Sequence, residues 1–185
     1  MPYSFRPPLP TLDRPIVLVG LMGVGKSTVG RRLARRLKLR FVDSDTAIGE
    51  AAGVSAADLF ERHGEPAFRD GERRIVARLA AEGPRVIATG GGAFADAETR
   101  AMLTEKTITV WLDAPVAVLA ERTGRRDTRP LLRGGDREEV LASLAEQRSP
   151  LYAEAAIHVP SDLGSHAQVV EVIVGALADY LEARR

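Results

Sequence analysis

Gly20, Gly25, Lys26 and Ser27 stand in the spacing G-x-x-x-x-G-K-[ST], and no other feature constrains the fold of this chain as strongly. The pattern needs small residues because the backbone must curl around a polyphosphate and turn its N–H groups inward. Lys26 is expected to reach the β/γ-phosphates, and the Ser27 hydroxyl to hold Mg2+. The motif also demands a strand before it and a helix after it. Residues 15–19 are a short apolar run that reads as a buried strand, while Val29, Leu33 and Leu37 repeat at helical spacing over 28–39. The N-terminus of that helix adds its own attraction for anions.

Composition bears on the lysine. Of the 26 Lys and Arg residues only Lys26, Lys38 and Lys106 are lysine, so arginine is the default cation and a lysine in the loop is a choice. A compact ammonium fits inside a backbone cradle that a broad guanidinium fork does not. With 185 residues the chain is large enough for one self-sufficient core. A net charge of +1 and 5% aromatic residues leave neither a global field nor stacking platforms for nucleic acid, so no nucleic-acid partner is expected. Cysteine is absent, which excludes disulfides, thiolate zinc and cysteine nucleophiles and is compatible with a cytoplasmic location. No run approaches the roughly 18 apolar residues of a membrane span, so no membrane partner is expected either, and the chain is expected to be a monomer.

Residues 1–13 contain Pro2, Pro7, Pro8 and Pro10 without an apolar stretch; they read as a proline-rich extension rather than a secretory signal. Residues 14–185 read as a single domain. Further strand-like runs lie at 40–42, 85–89, 107–112 and 156–159. Helical patterns fall at 56–63, 65–82, 96–103, 115–122, 137–151 and 165–183. Short apolar strands alternating with helices predict a three-layer α/β/α domain around a five-stranded parallel sheet. Ligands bind such sheets at the carboxyl ends of strands. Residues 123–136, rich in Arg, Gly and Asp and lacking periodicity, read as a loop long enough to be a lid.

The residues just after each strand carry chemistry. Asp43 and Asp45 follow the second; phosphoryl transfer needs one carboxylate near the metal and one to orient or deprotonate the attacking hydroxyl. Either one alone reads equally as a cap for the next helix. Gly90, Gly91 and Gly92 follow the third strand, where a side chain would block a close approach. That strand ends without the acidic residue many nucleoside-triphosphate hydrolases place there, which shifts the metal role to Asp43. Arg69 and Glu72 stand three apart on a helix, as an exposed ion pair also would. Arginines could stabilise a transferring phosphoryl group or take a substrate carboxylate with a bidentate fork, and spacing does not decide which does which.

Taken in order, these motifs resemble shikimate kinase over about residues 14–152, a P-loop kinase fold related to the nucleoside-monophosphate kinases. The resemblance rests on residues 20–28, on Phe41 to Asp45, and on an F…GE..FR pattern from Phe60 to Arg69. It continues with Thr89 to Gly92, an R-P-L-L run from Arg129, and an R-x-P-L-Y run from Arg148 to Tyr152. It implies ATP-dependent phosphorylation of the shikimate 3-hydroxyl, a step toward chorismate. Gly23, Val24, Gly25, Lys26, Ser27, Thr28, Arg122 and Arg129 would bind ATP, with Arg122 near the adenine and Arg129 on the phosphates. Ser27 and Asp43 would serve Mg2+. Asp45, Phe60, Phe68, Arg69, Gly90, Gly91, Gly92 and Arg148 would bind shikimate, Arg69 and Arg148 at its carboxylate and Glu72 behind Arg69. Lys26, Asp45 and Arg129 would be catalytic.

The loop from Val159 to Gly164, where the family contacts adenine, does not match residue by residue. Competing readings are another small-molecule kinase such as a gluconate kinase, a non-catalytic sensing module, and nucleic-acid binding through Arg122, Arg125, Arg126, Arg129 and Arg133. The retained lysine, aspartates and arginine pair weigh against the first two; Asp127 and Asp136 dilute the third.

Overall fold

Ile16, Val17, Leu18 and Val19 have no solvent exposure, and the sheet is built outward from them. A computed structural model describes residues 11–124, 136–162 and 164–184. Its strands are β1 (Ile16–Val19), β2 (Arg40–Asp43), β3 (Arg85–Ala88), β4 (Ile108–Asp113) and β5 (Ile157–Pro160). They pair in the order β2-β3-β1-β4-β5, all parallel. Ile16 is in register with Val86 on one side and Ile108 on the other. β1 and β3 are buried along their whole length, which is why they read as apolar runs, β3 after a buried Arg85 at its start. At the edge, β5 alternates: Ile157 and Val159 are buried, His158 and Pro160 exposed.

Parallel strands require crossovers, and their right-handedness puts helices on both faces of the sheet. The helices are α1 (Lys26–Leu37), α2 (Ser44–Ala52), α3 (Ala56–Ala81), α4 (Ala97–Lys106), α5 (Val116–Gly124), α6 (Arg137–Tyr152) and α7 (His166–Glu182). α1 packs with α7, α3 with α4, and α5 with α6. α1 buries Val29, Gly30, Leu33 and Ala34 while Arg31, Arg32, Arg35 and Arg36 face solvent, the stripe its sequence period demands. The expected three-layer α/β/α fold is the fold observed.

Helix starts divide into two kinds. Asp43, Ser55, Asp96, Asp136 and Ser165 each accept a backbone N–H from the first turn of α2, α3, α4, α6 and α7. α1 has no side-chain cap, because its N-cap is Gly25 in the left-handed region (φ 98°). Its first amides are left for another acceptor.

The structure departs from the expected elements in three places. α1 begins at Lys26, two residues earlier than its apolar period indicates. Residues 44–52 form a helix that periodicity does not mark, since it is short and amphipathic only weakly, burying Ser44, Ala47 and Ile48. The helices expected over 56–63 and 65–82 are one element, α3, broken at Gly64 (φ 78°, ψ 172°) with Pro66 just beyond. A turn of 3-10 helix, Ala93–Ala95, follows the three glycines. In the segment read as a lid, Thr123 and Gly124 end α5 and Asp136 caps α6. Residues 125–135, with Arg129, lie outside the described residues, as do residues 1–10 of the proline-rich extension. No described helix is long and apolar enough to cross a membrane.

Candidate active site

Three loops leave the carboxyl ends of β1, β2 and β3 side by side, because β3 sits between the other two strands. In the first loop Gly20 (φ 135°) passes so close to β4 that a Cβ would collide with the Leu112 carbonyl oxygen. Val24 lies buried beneath the loop. Lys26 is 8% exposed and its Nζ donates to the carbonyls of Gly20 at 2.7 Å and Leu21 at 2.9 Å. The ammonium therefore lies inside the curl of its own loop, next to the uncapped start of α1. Thr28 is exposed on the first turn of that helix.

The second loop meets the first through Asp43. Ser27 Oγ donates to Asp43 Oδ2 at 2.5 Å, while Asp43 Oδ1 accepts the backbone N–H of Asp45 at 3.1 Å. The cap expected as one reading of Asp43 is present, and the other oxygen of the same carboxylate meets Ser27. Asp45 is left exposed on the first turn of α2. It lines an open cleft of about 610 Å³ together with Thr46, Gly49, Glu50, Gly53, Val54, Ser55 and Ala56.

The glycine turn after β3 is held from several sides. The Thr89 hydroxyl donates to the Leu18 carbonyl at 3.0 Å, and the Gly90 N–H donates to Ser44 Oγ at 3.1 Å. A Cβ at Gly90 would lie 2.8 Å from Glu72 Oε1 and 2.9 Å from Asp45 Oδ1, so both carboxylates approach one Cα. A Cβ at Gly92 would collide with the Arg69 guanidinium. The Gly91 carbonyl accepts Arg148 Nη1 at 3.1 Å and the Tyr152 hydroxyl. Asp45, Arg69 and Arg148 are thus gathered around one three-residue turn.

Arg69 donates to Glu72 Oε2 at 2.6 Å and to Glu65 Oε1 at 3.4 Å, with its guanidinium 5.4 Å from the Phe68 ring. Phe60 meets Phe68 edge-on, centroids 5.5 Å apart, which gives this side an apolar wall. Glu72 is 2% exposed. Burial pushes its carboxyl above the ordinary 4.5, against the pull of Arg69 and helped by Asp45. Burial works against the Arg69 cation as well, but Glu72 and Glu65 raise its pKa on balance. Glu72 Oε1 has no hydrogen-bond partner among the described residues. Farther off, Arg122 donates to the Ser161 carbonyl at 3.3 Å, which puts it beside the loop after β5 and away from the glycine turn.

Residues 22–178 match the family model described as Shikimate kinase. The chain belongs to the shikimate kinase family. The shikimate kinase of Caulobacter vibrioides is 56% identical over 168 residues, spanning 91% of this chain and 84% of that protein. The structure of shikimate kinase from Acinetobacter baumannii in complex with shikimate is 38% identical, with a TM-score of 0.84 over 87% of this chain and 90% of that one. A gluconokinase from Sinorhizobium meliloti is 21% identical at a TM-score of 0.60, covering 95% of this chain and 99% of that chain. That level of likeness carries the fold alone.

In this shikimate kinase family member two site residues escape a reading by motif roles. Ser44 lies between two aspartates that draw attention from it, yet it anchors Gly90. Tyr152 closes the R-x-P-L-Y run one helical turn after Arg148, a spacing that could have flagged it as sharing Arg148's face.

Proposed function

We propose that this chain transfers the γ-phosphoryl group of ATP to the 3-hydroxyl of shikimate. Family membership supports the reaction. The observation that carries the substrate side is the convergence of Arg69, Arg148 and Asp45 on the turn of Gly90, Gly91 and Gly92. Shikimate is a ring bearing one carboxylate and three hydroxyls. Two guanidiniums would take the carboxylate, Asp45 the hydroxyls, the glycine backbone the ring face, and Phe60 with Phe68 the apolar side.

On the donor side, the loop of Gly23, Val24 and Gly25, the amides of Lys26, Ser27 and Thr28 at the uncapped start of α1, and the Lys26 ammonium would hold the phosphates. Arg122 would lie on the adenine side. Arg129 is assigned to the phosphates on its motif alone. The Ser27–Asp43 pair offers one hydroxyl and one carboxylate, a hard oxygen set that suits Mg2+ sharing its remaining positions with water and phosphate. When bound, Mg2+ would offset the negative charge of the phosphates.

In the transfer the shikimate 3-oxygen forms a bond to the γ-phosphorus, the bond from that phosphorus to the β-bridging oxygen breaks, and ADP carries the electron pair away. Asp45 orients the hydroxyl and accepts its proton. Lys26 and Arg129 stabilise the charge moving through the phosphoryl group.

The test is a coupled assay of ADP release with Mg2+. Release is expected with shikimate and scarcely with gluconate or nucleoside monophosphates. ADP release that does not depend on shikimate would sink the assignment, and gluconate dependence would put the rival kinase in its place.

A further inference from the structure

Both donors on the Gly91 carbonyl come from α6, four residues apart, so one helix face delivers the Arg148 guanidinium and the Tyr152 hydroxyl to one oxygen. Tyr152 is 1% exposed. Its ring stacks with Phe94 at 6.3 Å and lies tilted against Trp111 at 6.0 Å. A core position that needed only the ring would be served by Phe; a buried O–H must find an acceptor or lose its hydration uncompensated. Here the acceptor is a carbonyl of the substrate turn. Burial also drives the phenol above its ordinary 10.0, against Arg148, so the hydroxyl remains a donor throughout the working range.

We propose that Tyr152 is a positioning residue for the phosphoryl acceptor, acting through Gly91 and Arg148; this rests on the reading of the site given above. A glycine turn has little conformational preference of its own. Two donors on the Gly91 oxygen fix the orientation of the peptide between Gly91 and Gly92. Because that peptide is planar, they also fix the direction of the Gly92 N–H on its far side. The same contact holds one arm of Arg148, limiting the positions from which the rest of its fork can receive a carboxylate. Tyr152 touches neither substrate in this scheme. It removes motion from two groups that do.

The test compares Tyr152→Phe with Trp111→Phe, each assayed below its own melting transition. Tyr152→Phe keeps the ring and removes the donor; Trp111→Phe disturbs the packing of the same ring and leaves the Gly91 bond intact. Tyr152→Phe is expected to raise the KM for shikimate roughly five- to tenfold, the scale of one lost hydrogen bond, with the KM for ATP within about twofold of wild type. Trp111→Phe is expected to lower the melting temperature without that rise. The proposal is overturned if the shikimate KM of Tyr152→Phe is unchanged, or if both KM values rise in parallel. It is equally overturned if Trp111→Phe reproduces the effect, or if Tyr152→Phe yields no folded protein at any temperature. Wild type showing no shikimate dependence takes down the functional reading and this proposal with it. Wild type active with an unmoved variant removes the positioning role alone.

Discussion

Ser27 and Asp43 are joined by a 2.5 Å hydrogen bond although β3 lies between β2, which ends at Asp43, and β1, whose loop leads into the helix that begins beside Ser27. One carboxylate oxygen meets the phosphate loop and the other caps α2. The two duties are separable by substitution.

Asp43→Asn should preserve the helix start, because Asn is as good an N-cap as Asp, while removing the charge offered to Mg2+. The melting temperature is expected to stay within a few degrees of wild type. The Mg2+ concentration for half-maximal activity should rise about tenfold or more, at the typical scale of one lost charged partner. A magnesium titration of both proteins checks this; an unmoved requirement would leave Asp43 as a cap only.

Asp45→Asn retains shape and loses the proton acceptor. Turnover should fall by roughly a hundredfold to ten-thousandfold, with ATP binding by calorimetry nearly unchanged, since the proposed function puts Asp45 on the acceptor side. Weak ATP binding in the variant would contradict that division.

Gly90→Ala separates fold from function in another way. Its Cβ would press on Glu72 Oε1 and Asp45 Oδ1, both at the ends of side chains that can move aside. The melting temperature should drop little, and kcat/KM for shikimate should fall about tenfold or more at the cost of two displaced groups. Gly53→Ala is the control, with no atom within 4 Å of its Cβ but a φ of 70°. It should lose about 1–2 kcal/mol of stability and keep its activity.

Glu72 gives a pH dependence whose sign follows from burial. Its folded pKa lies above the ordinary 4.5, so its contribution to stability is complete below that value and is lost as pH rises through the folded one. The melting-temperature difference between wild type and Glu72→Gln should therefore shift against wild type as pH is raised from 4 to neutrality. Thermal melts across that range decide it, and a difference that grows in favour of wild type would refute the sign. The same variant should raise the KM for shikimate, because Arg69 loses its nearest anchor.

What could be read along the chain was local. The phosphate loop, the Asp43 and Asp45 pair, the three glycines and the Arg69–Glu72 spacing all declare themselves within a few residues. The inner strands are legible because burial on both faces makes them short and mostly apolar, while the edge strands β2 and β5, only partly buried, show as short runs with exposed residues among them. Contacts across the sheet are another matter. Ser44 holds Gly90 from 46 positions away and Arg148 reaches Gly91 from 57, and no periodicity encodes such pairings. The helix at 44–52 was hidden because it buries a small face. For Asp43, spacing posed capping and metal holding as rivals, when the two oxygens of a carboxylate can do both.

Lys26 rests with its ammonium already bonded to two carbonyls of its own loop. On the proposed function, a nucleotide phosphate taking the ammonium would exchange for those bonds, so the gain on binding would be a difference between two satisfied states. Interactions of that kind add little to ground-state affinity and more where charge is shifting, which raises turnover instead of tightening capture. After transfer the exchange would run backwards, with the loop carbonyls taking the ammonium again as ADP departs. On that reading the curl around Lys26 would serve to let the spent nucleotide go as much as to catch the fresh one.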